Sequence, residues 1–171
     1  KLQQAAILFM ERYNGKLPDS YAQHLELPGI GPYTAGAIAS IAHEEKVSAV
    51  DGNVIRVFAR LYNIEESVSR PQILRHIRQL VDASLPEHPG DYNQALMELG
   101  ALVCTPRRPE CPACPIREFC QAFKEGNPED LPHKDPKKAR RQEKKPVFVW
   151  WDPQMEQVHL KRRPPKGLLA G

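Results

Sequence analysis

The chain has 171 residues, a net charge of +3 and 41% apolar residues. That length allows one domain and part of another, with a core, and the mildly basic balance permits nucleic-acid contact without establishing it. No apolar run approaches the ~18 residues of a membrane span, and no secretory h-region is present, so no membrane partner is expected.

The chain reads as mainly α-helical up to about Gly126. Leu2 to Tyr13 is an apolar-rich helix stopped by Asn14-Gly15, a C-cap and turn signal. Ser20 is placed to cap a short helix through Leu25. Pro32 stands where a helix would begin, and Tyr33 to His43 follows, lean in side chains at Ala35, Gly36, Ala37 and Ala39. Asn53 to Tyr62 sets Val54, Val57, Phe58 and Leu61 on one face at helical spacing, and Pro71 to Val81 does the same with Ile73, Ile77, Leu80 and Val81. Asp91 or a neighbour caps Tyr92 to Val103, with Ala95, Leu96, Leu99 and Leu102 expected inward. Composition then shifts: Lys134 to Lys145 carries seven basic residues against two acidic ones, so 127–146 reads as an extended basic linker. Val147 to Trp151 and Val158 to Arg162 read as two strands about a turn at Asp152-Pro153, opening an α+β domain that is cut short. Lys1 is not a start methionine, and both ends are expected to be truncated.

All the cysteines fall in one stretch, Cys104-x6-Cys111-x2-Cys114-x5-Cys120. Clustered thiolates at loop-like spacings hold a metal or an iron–sulfur cluster, and they favour a reducing compartment. Spacing alone leaves iron–sulfur and zinc equally open; a second C-x2-C half-site, usual for zinc, is missing. Four protein ligands leave no open coordination position, so the metal is expected to staple a loop rather than do chemistry. Arg107, Arg108 and Arg117 place positive charge around that loop, where phosphates could be met.

Leu27-Pro28-Gly29-Ile30-Gly31 ahead of the lean helix reads as a tight glycine turn whose amides face a phosphate oxygen at a helix N-terminus. Such a contact grips the DNA backbone without reading sequence. Asp51, in Val50-Asp51-Gly52-Asn53, stands just ahead of a helix. Capping is its simplest role. A carboxylate there is also favoured by the helix dipole, and beside a sugar it could stabilise the positive charge that develops as a glycosidic bond breaks.

The glycine hairpin, the Asp51 segment and the four-cysteine loop occur in that order. In this combination the chain resembles the helix–hairpin–helix glycosylases of base-excision repair that carry a [4Fe-4S] cluster. Within them it resembles the adenine DNA glycosylases of the MutY type. Tyr33-Thr34-Ala35-Gly36-Ala37 and Leu99-Gly100-Ala101-Leu102-Val103-Cys104-Thr105-Pro106-Arg107 look especially like that family. The resemblance implies a helix–hairpin–helix glycosylase domain over 1–126 with an iron–sulfur loop at 104–120, a linker at 127–146, and the start of a Nudix-like domain at 147–171. It implies a monomeric enzyme acting on double-stranded DNA with adenine opposite 8-oxoguanine or guanine, in the cytoplasm with the nucleoid or in a eukaryotic nucleus. Relatives of the endonuclease III type carry a catalytic lysine two residues after the second glycine; here Tyr33 stands there, which removes the amine for Schiff-base chemistry. The same relatives read Val-Asp-Thr-His where this chain has Asp51-Gly52-Asn53. By resemblance Asp51 stabilises the cation-like state and Tyr33 helps position it. The family's catalytic glutamate lies upstream of the hairpin. Glu11 is too near the hairpin to be it, so that residue is expected to precede Lys1 and the fragment alone to be inactive. The competing expectations are a pyrimidine or thymine-mismatch glycosylase on the same scaffold, and a non-enzymatic DNA-binding module stapled by zinc.

Overall fold

In a computed structural model of the chain, residues 1–136, 139, 142, 144, 146, 149–152, 154–158, 160–162 and 164–166 are described. The chain divides into two units, Lys1–Pro136 and Lys137–Gly171.

The first unit is helical throughout. Helix α1 (Leu2–Tyr13) ends on Asn14 in the left-handed region at φ 50°, and Gly15 follows at φ 74° with its amide on the Phe9 carbonyl. Of α1 only Ala5 is buried; Leu2, Ile7 and Met10 are exposed. Helix α2 (Tyr21–Leu25) is opened by a reciprocal capping box between Ser20 and Gln23, which satisfies amide donors that so short a helix would otherwise leave bare. Helices α3 (Pro32–His43) and α5 (Pro71–Ala83) both begin with proline at the position where a missing N–H costs nothing. Helix α4 (Gly52–Leu61) is the central element and packs on α5 and on α6 (Pro89–Glu98). Val54, Val57, Phe58, Ile77, Val81 and Leu96 form the heart of the core. The predicted inward faces of α4 and α5 are thus the buried ones, with Leu61, Ile73 and Leu80 at the margin.

Three expectations about the sixth helix are corrected. Helix α6 starts at Pro89, and Asp91 lies in its first turn instead of capping it. It gives way at Leu99–Val103 to a π-helical turn, whose wider period rotates the side chains that follow, so Leu102 is 73% exposed. Ala95 is exposed as well, and beside Leu96 the helix buries Pro89, Gly90 and Asn93. The first unit also runs past Gly126. After α7 (Gln121–Glu125) the chain returns over α4, where Leu131 is buried, the His133 carbonyl accepts from the Val68 amide at 2.9 Å, and Asp135 N–H donates to Ser69 Oγ at 3.0 Å. Backbone hydrogen bonds, invisible to composition, hold the start of the expected linker.

In the second unit Trp151–Asp152 (β1) and Gln157–Val158 (β2) pair antiparallel, Trp151 opposite Val158. Asp152 accepts from the amides of Gln154 and Met155 and shapes the turn. Both strands are shorter than expected; Val147, Phe148, His159 and the basic residues Lys137, Lys138, Arg140, Arg141 and Lys145 lie outside the described residues.

Candidate active site and thiol cluster

The hairpin between α2 and α3 is anchored by Leu27, which is buried. Gly29 holds φ +98°, a conformation that side chains resist, and the Ile30 amide closes the turn on the Leu27 carbonyl at 3.1 Å. Gly31, in contrast, is extended (φ −100°, ψ 176°), so the expected positive φ falls on one glycine only. No side chain caps α3, and open space surrounds the Cα of Gly31. The first-turn amides of α3 are therefore left for an outside acceptor, as an anion site needs. Pro28 and Ile30 are half-buried beneath this exposed rim.

Asp51 caps α4 as its position predicts. Oδ1 accepts from the amides of Asn53 and Val54, both at 2.8 Å, and Oδ2 accepts from Asn53 Nδ2 at 2.9 Å. A carboxylate offers about four lone-pair sites, so one direction stays open. Behind it a chain of hydrogen bonds runs inward. Arg56 Nη2 donates to Asn53 Oδ1 at 2.9 Å and to the Gly100 carbonyl at 2.6 Å, and Arg56 Nε donates to the Cys104 carbonyl at 2.7 Å. The carboxylate is thereby tied, through Asn53 and Arg56, to the first cysteine of the loop. Burial pushes the Arg56 guanidinium downward and Cys104 pushes it back up; guanidinium remains a cation throughout. Gly100 has to be glycine here, because a Cβ would stand 2.6 Å from Asn53 Cβ.

Among the described residues no hydrogen bond joins Tyr33 to Asp51. Its hydroxyl donates to Met97 Sδ at 3.3 Å, and its ring lines a cleft of about 270 Å³ with Tyr21, Val50, Arg78 and Asp82. The residue before Asp51, Val50, thus shares that cleft with Tyr33. Asn93, which the sequence did not single out, fixes the segment leading to Asp51. It accepts from the Ala49 amide at 3.1 Å and donates to the Val47 carbonyl at 3.0 Å and Ser40 Oγ at 2.9 Å, all from a fully buried position.

Cys104, Cys111, Cys114 and Cys120 line one cavity with Arg60, Val103 and Phe123. Short 3-10 turns at Cys111–Ala113 and Arg117–Phe119 bring the last three together. Arg60 lies fully buried behind them. It donates to the carbonyls of Leu131, Cys104, Thr105 and Pro106, and its Nη1 lies 3.2 Å from Cys104 Sγ. Burial, then the neighbouring Cys104, Cys120 and Cys114, push the Cys111 thiol up, and burial does the same to Cys120. Deprotonating this set therefore calls for the positive charge of a bound metal. One zinc with Zn–S bonds of about 2.3 Å would draw its sulfurs to within roughly 3.8 Å of each other. Among the described residues no three His, Cys, Asp or Glu side chains are gathered tightly enough for a single ion. Four thiols that line one cavity fit a cluster in which each binds a different iron. Arg107 and Arg108 are exposed on the loop, Thr105 Oγ1 donates to their carbonyls, and Arg117 is turned onto the Pro112 carbonyl and the Phe123 ring.

Known proteins agree with this geometry. Residues 12–41 match the family profile of the helix-hairpin-helix motif, and residues 104–120 match the iron-sulfur binding domain of endonuclease III. The chain is 37% identical to an adenine DNA glycosylase of Schizosaccharomyces pombe over 85% of its own length and 40% of that protein. It is 46% identical to the adenine DNA glycosylase of Mus musculus over 72% of the chain and 24% of that protein. It spans less than half the length of these relatives. Among solved structures, a thermostable thymine-DNA glycosylase aligns with a TM-score of 0.63 and 27% identity, covering 72% of this chain and 57% of that one. A non-covalent endonuclease III–DNA complex aligns with a TM-score of 0.60 and 25% identity, covering 73% and 57%. The thiol loop is that of a [4Fe-4S] protein, and with its hairpin and its sequence likeness the chain belongs to the helix–hairpin–helix, iron–sulfur DNA glycosylases of the adenine glycosylase, or MutY, type.

Proposed function

We propose that the protein excises adenine from double-stranded DNA where it faces 8-oxoguanine or guanine, hydrolysing the N-glycosidic bond without cutting the strand. The observation that carries this reading is Asp51: a carboxylate preset by three hydrogen bonds from its own helix, with one direction left open. The adenine leaves the base stack to reach it. As the bond to the base breaks, Asp51 stabilises the positive charge on the sugar, and no lysine amine stands at Tyr33 to trap the sugar covalently. Leu27 to Gly31 hold the backbone phosphates with the bare amides of α3, and exposed Arg107 and Arg108 add sequence-independent attraction. Cys104, Cys111, Cys114 and Cys120 hold the [4Fe-4S] cluster, which folds the loop and leaves no coordination position for substrate. The β1–β2 hairpin belongs to the start of a Nudix-like domain that contributes to 8-oxoguanine reading. The enzyme acts as a monomer.

A second reading, release of thymine from mismatches, is favoured by the likeness to the thymine-DNA glycosylase structure. A single-turnover assay of the intact protein separates the two, on duplexes with adenine opposite 8-oxoguanine, adenine opposite guanine, and thymine opposite guanine. Adenine release with unbroken strands supports the proposal; thymine release, or tight binding without release, overturns it.

A further inference from the structure

His24 and His43 form a ring pair between α2 and α3, His24 buried and His43 partly exposed. His24, on α2, is fully buried, and among the described residues neither ring nitrogen has a hydrogen-bond partner. His43, the last residue of α3, buries its Nε2 unpartnered as well. The ring centroids lie 6.1 Å apart, tilted by 33°. The charged groups around them come from both flanking segments. Asp19, ahead of α2, has Oδ1 3.9 Å from His43 Nδ1, but its side chain is 90% exposed and so well screened. Glu45, after α3, is engaged by the Tyr21 amide at 2.6 Å. Farther out, Arg12–Glu26 and His88–Glu44 are exposed pairs.

A neutral imidazole without partners is a tolerable burial, and a charged one is far more costly. Burial pushes His24 below the ordinary histidine value; His43 acts in the same direction, and Glu45 and Asp19 act against it. The element carrying His24 is weak: α2 is 5 residues long, and its buried anchor is His24 itself, followed by Leu27 in the turn.

We propose that buried His24, packed against His43, is a pH-sensitive latch on the hairpin. With His24 neutral, α2 stays packed on α3 and the Leu27–Gly31 turn keeps its DNA-gripping form. Acidification drives a proton onto His24, which must then leave the interior for water, and the turn loosens. The link to DNA rests on the function proposed above; the latch itself does not. The sign follows from linkage. The folded state disfavours the protonated ring, so the latch's stabilisation is complete above the unfolded value of about 6.5 and falls as pH drops through it toward the lowered folded value.

The test is hydrogen-exchange protection of the amides in 21–31 of the intact protein at pH 7.5, 6.5 and 5.5, with affinity for an undamaged duplex measured in parallel at constant ionic strength. The wild type is expected to lose up to about tenfold in local protection for each pH unit below 6.5, with duplex affinity falling over the same range. His24→Leu should hold both flat. His43→Leu, which keeps His24 and removes a neighbour that pushes it down, should leave the onset in place and make the total loss at acid pH smaller. Equal wild-type protection at 7.5 and 5.5, a His24→Leu drop as steep as the wild type's, or an acid loss in His43→Leu larger than the wild type's overturns the latch. Failure to bind duplex at pH 7.5 overturns the DNA-gripping role, and the exchange data then still decide the latch.

Discussion

Asn93→Ala tests how the segment ahead of Asp51 is held. The side chain is fully buried and makes three hydrogen bonds: one to Ser40 Oγ, one from the Ala49 amide and one to the Val47 carbonyl. Ser40 Oγ keeps its own contact with the Ala37 carbonyl, so truncation orphans two backbone groups. Each buried group left unpaired costs about 1–3 kcal/mol, so the loss is about 2–6 kcal/mol. For a unit of this size a kcal/mol shifts the melting temperature by roughly 3–5 °C, and a fall of about 10 °C is expected by calorimetry. The visible absorbance of the cluster should be retained, since Asn93 touches none of its ligands, while base release slows because Asp51 follows the freed segment by two residues. A melting temperature within about 2 °C of the wild type would refute the reasoning, for it would mean that water or a local shift satisfies both backbone groups.

Asp51→Asn keeps a capping side chain but removes the charge, so base release by the intact protein should fall by about 10²-fold or more while duplex affinity stays; turnover near wild type reduces Asp51 to a cap. Tyr33→Lys places an amine in the hairpin, and borohydride should trap a covalent DNA adduct; if none forms, the position alone does not supply a lyase nucleophile. Cys114→Ala should cost iron content, folding or DNA binding rather than the chemical step, so normal iron and affinity in that variant contradict the ligand assignment.

Most helices were legible from local signals because their ends are set by local chemistry. Ser20 with Gln23, proline at the start of α3 and α5, and Asn14-Gly15 after α1 each satisfy or spare backbone groups within a few residues. The inward faces of α4 and α5 followed from apolar spacing. Leu102 was misread because the π-helical turn breaks that spacing, and nothing in Leu99 to Val103 announces it. The candidate site divides in the same way. Asp51 as a cap and the cysteines as one group were readable, since both depend on short spacings.

The sequence by itself determined the order of helices, the glycine turn and the clustering of thiols, because each arises among neighbours in the chain. Tertiary structure alone decided what lies over the polar face of α4. Arg56 and Arg60 look like solvent-facing charges in the sequence, yet both are buried, because the carbonyls of Gly100, Cys104 to Pro106 and Leu131 close over them and accept their protons. The same folding back brings 127–135 onto the first unit, carries Asn93 to Val47–Ala49 and encloses His24 with His43. Those partners are separated by many residues, and whether a polar side chain is buried depends on which distant backbone groups arrive to pair with it.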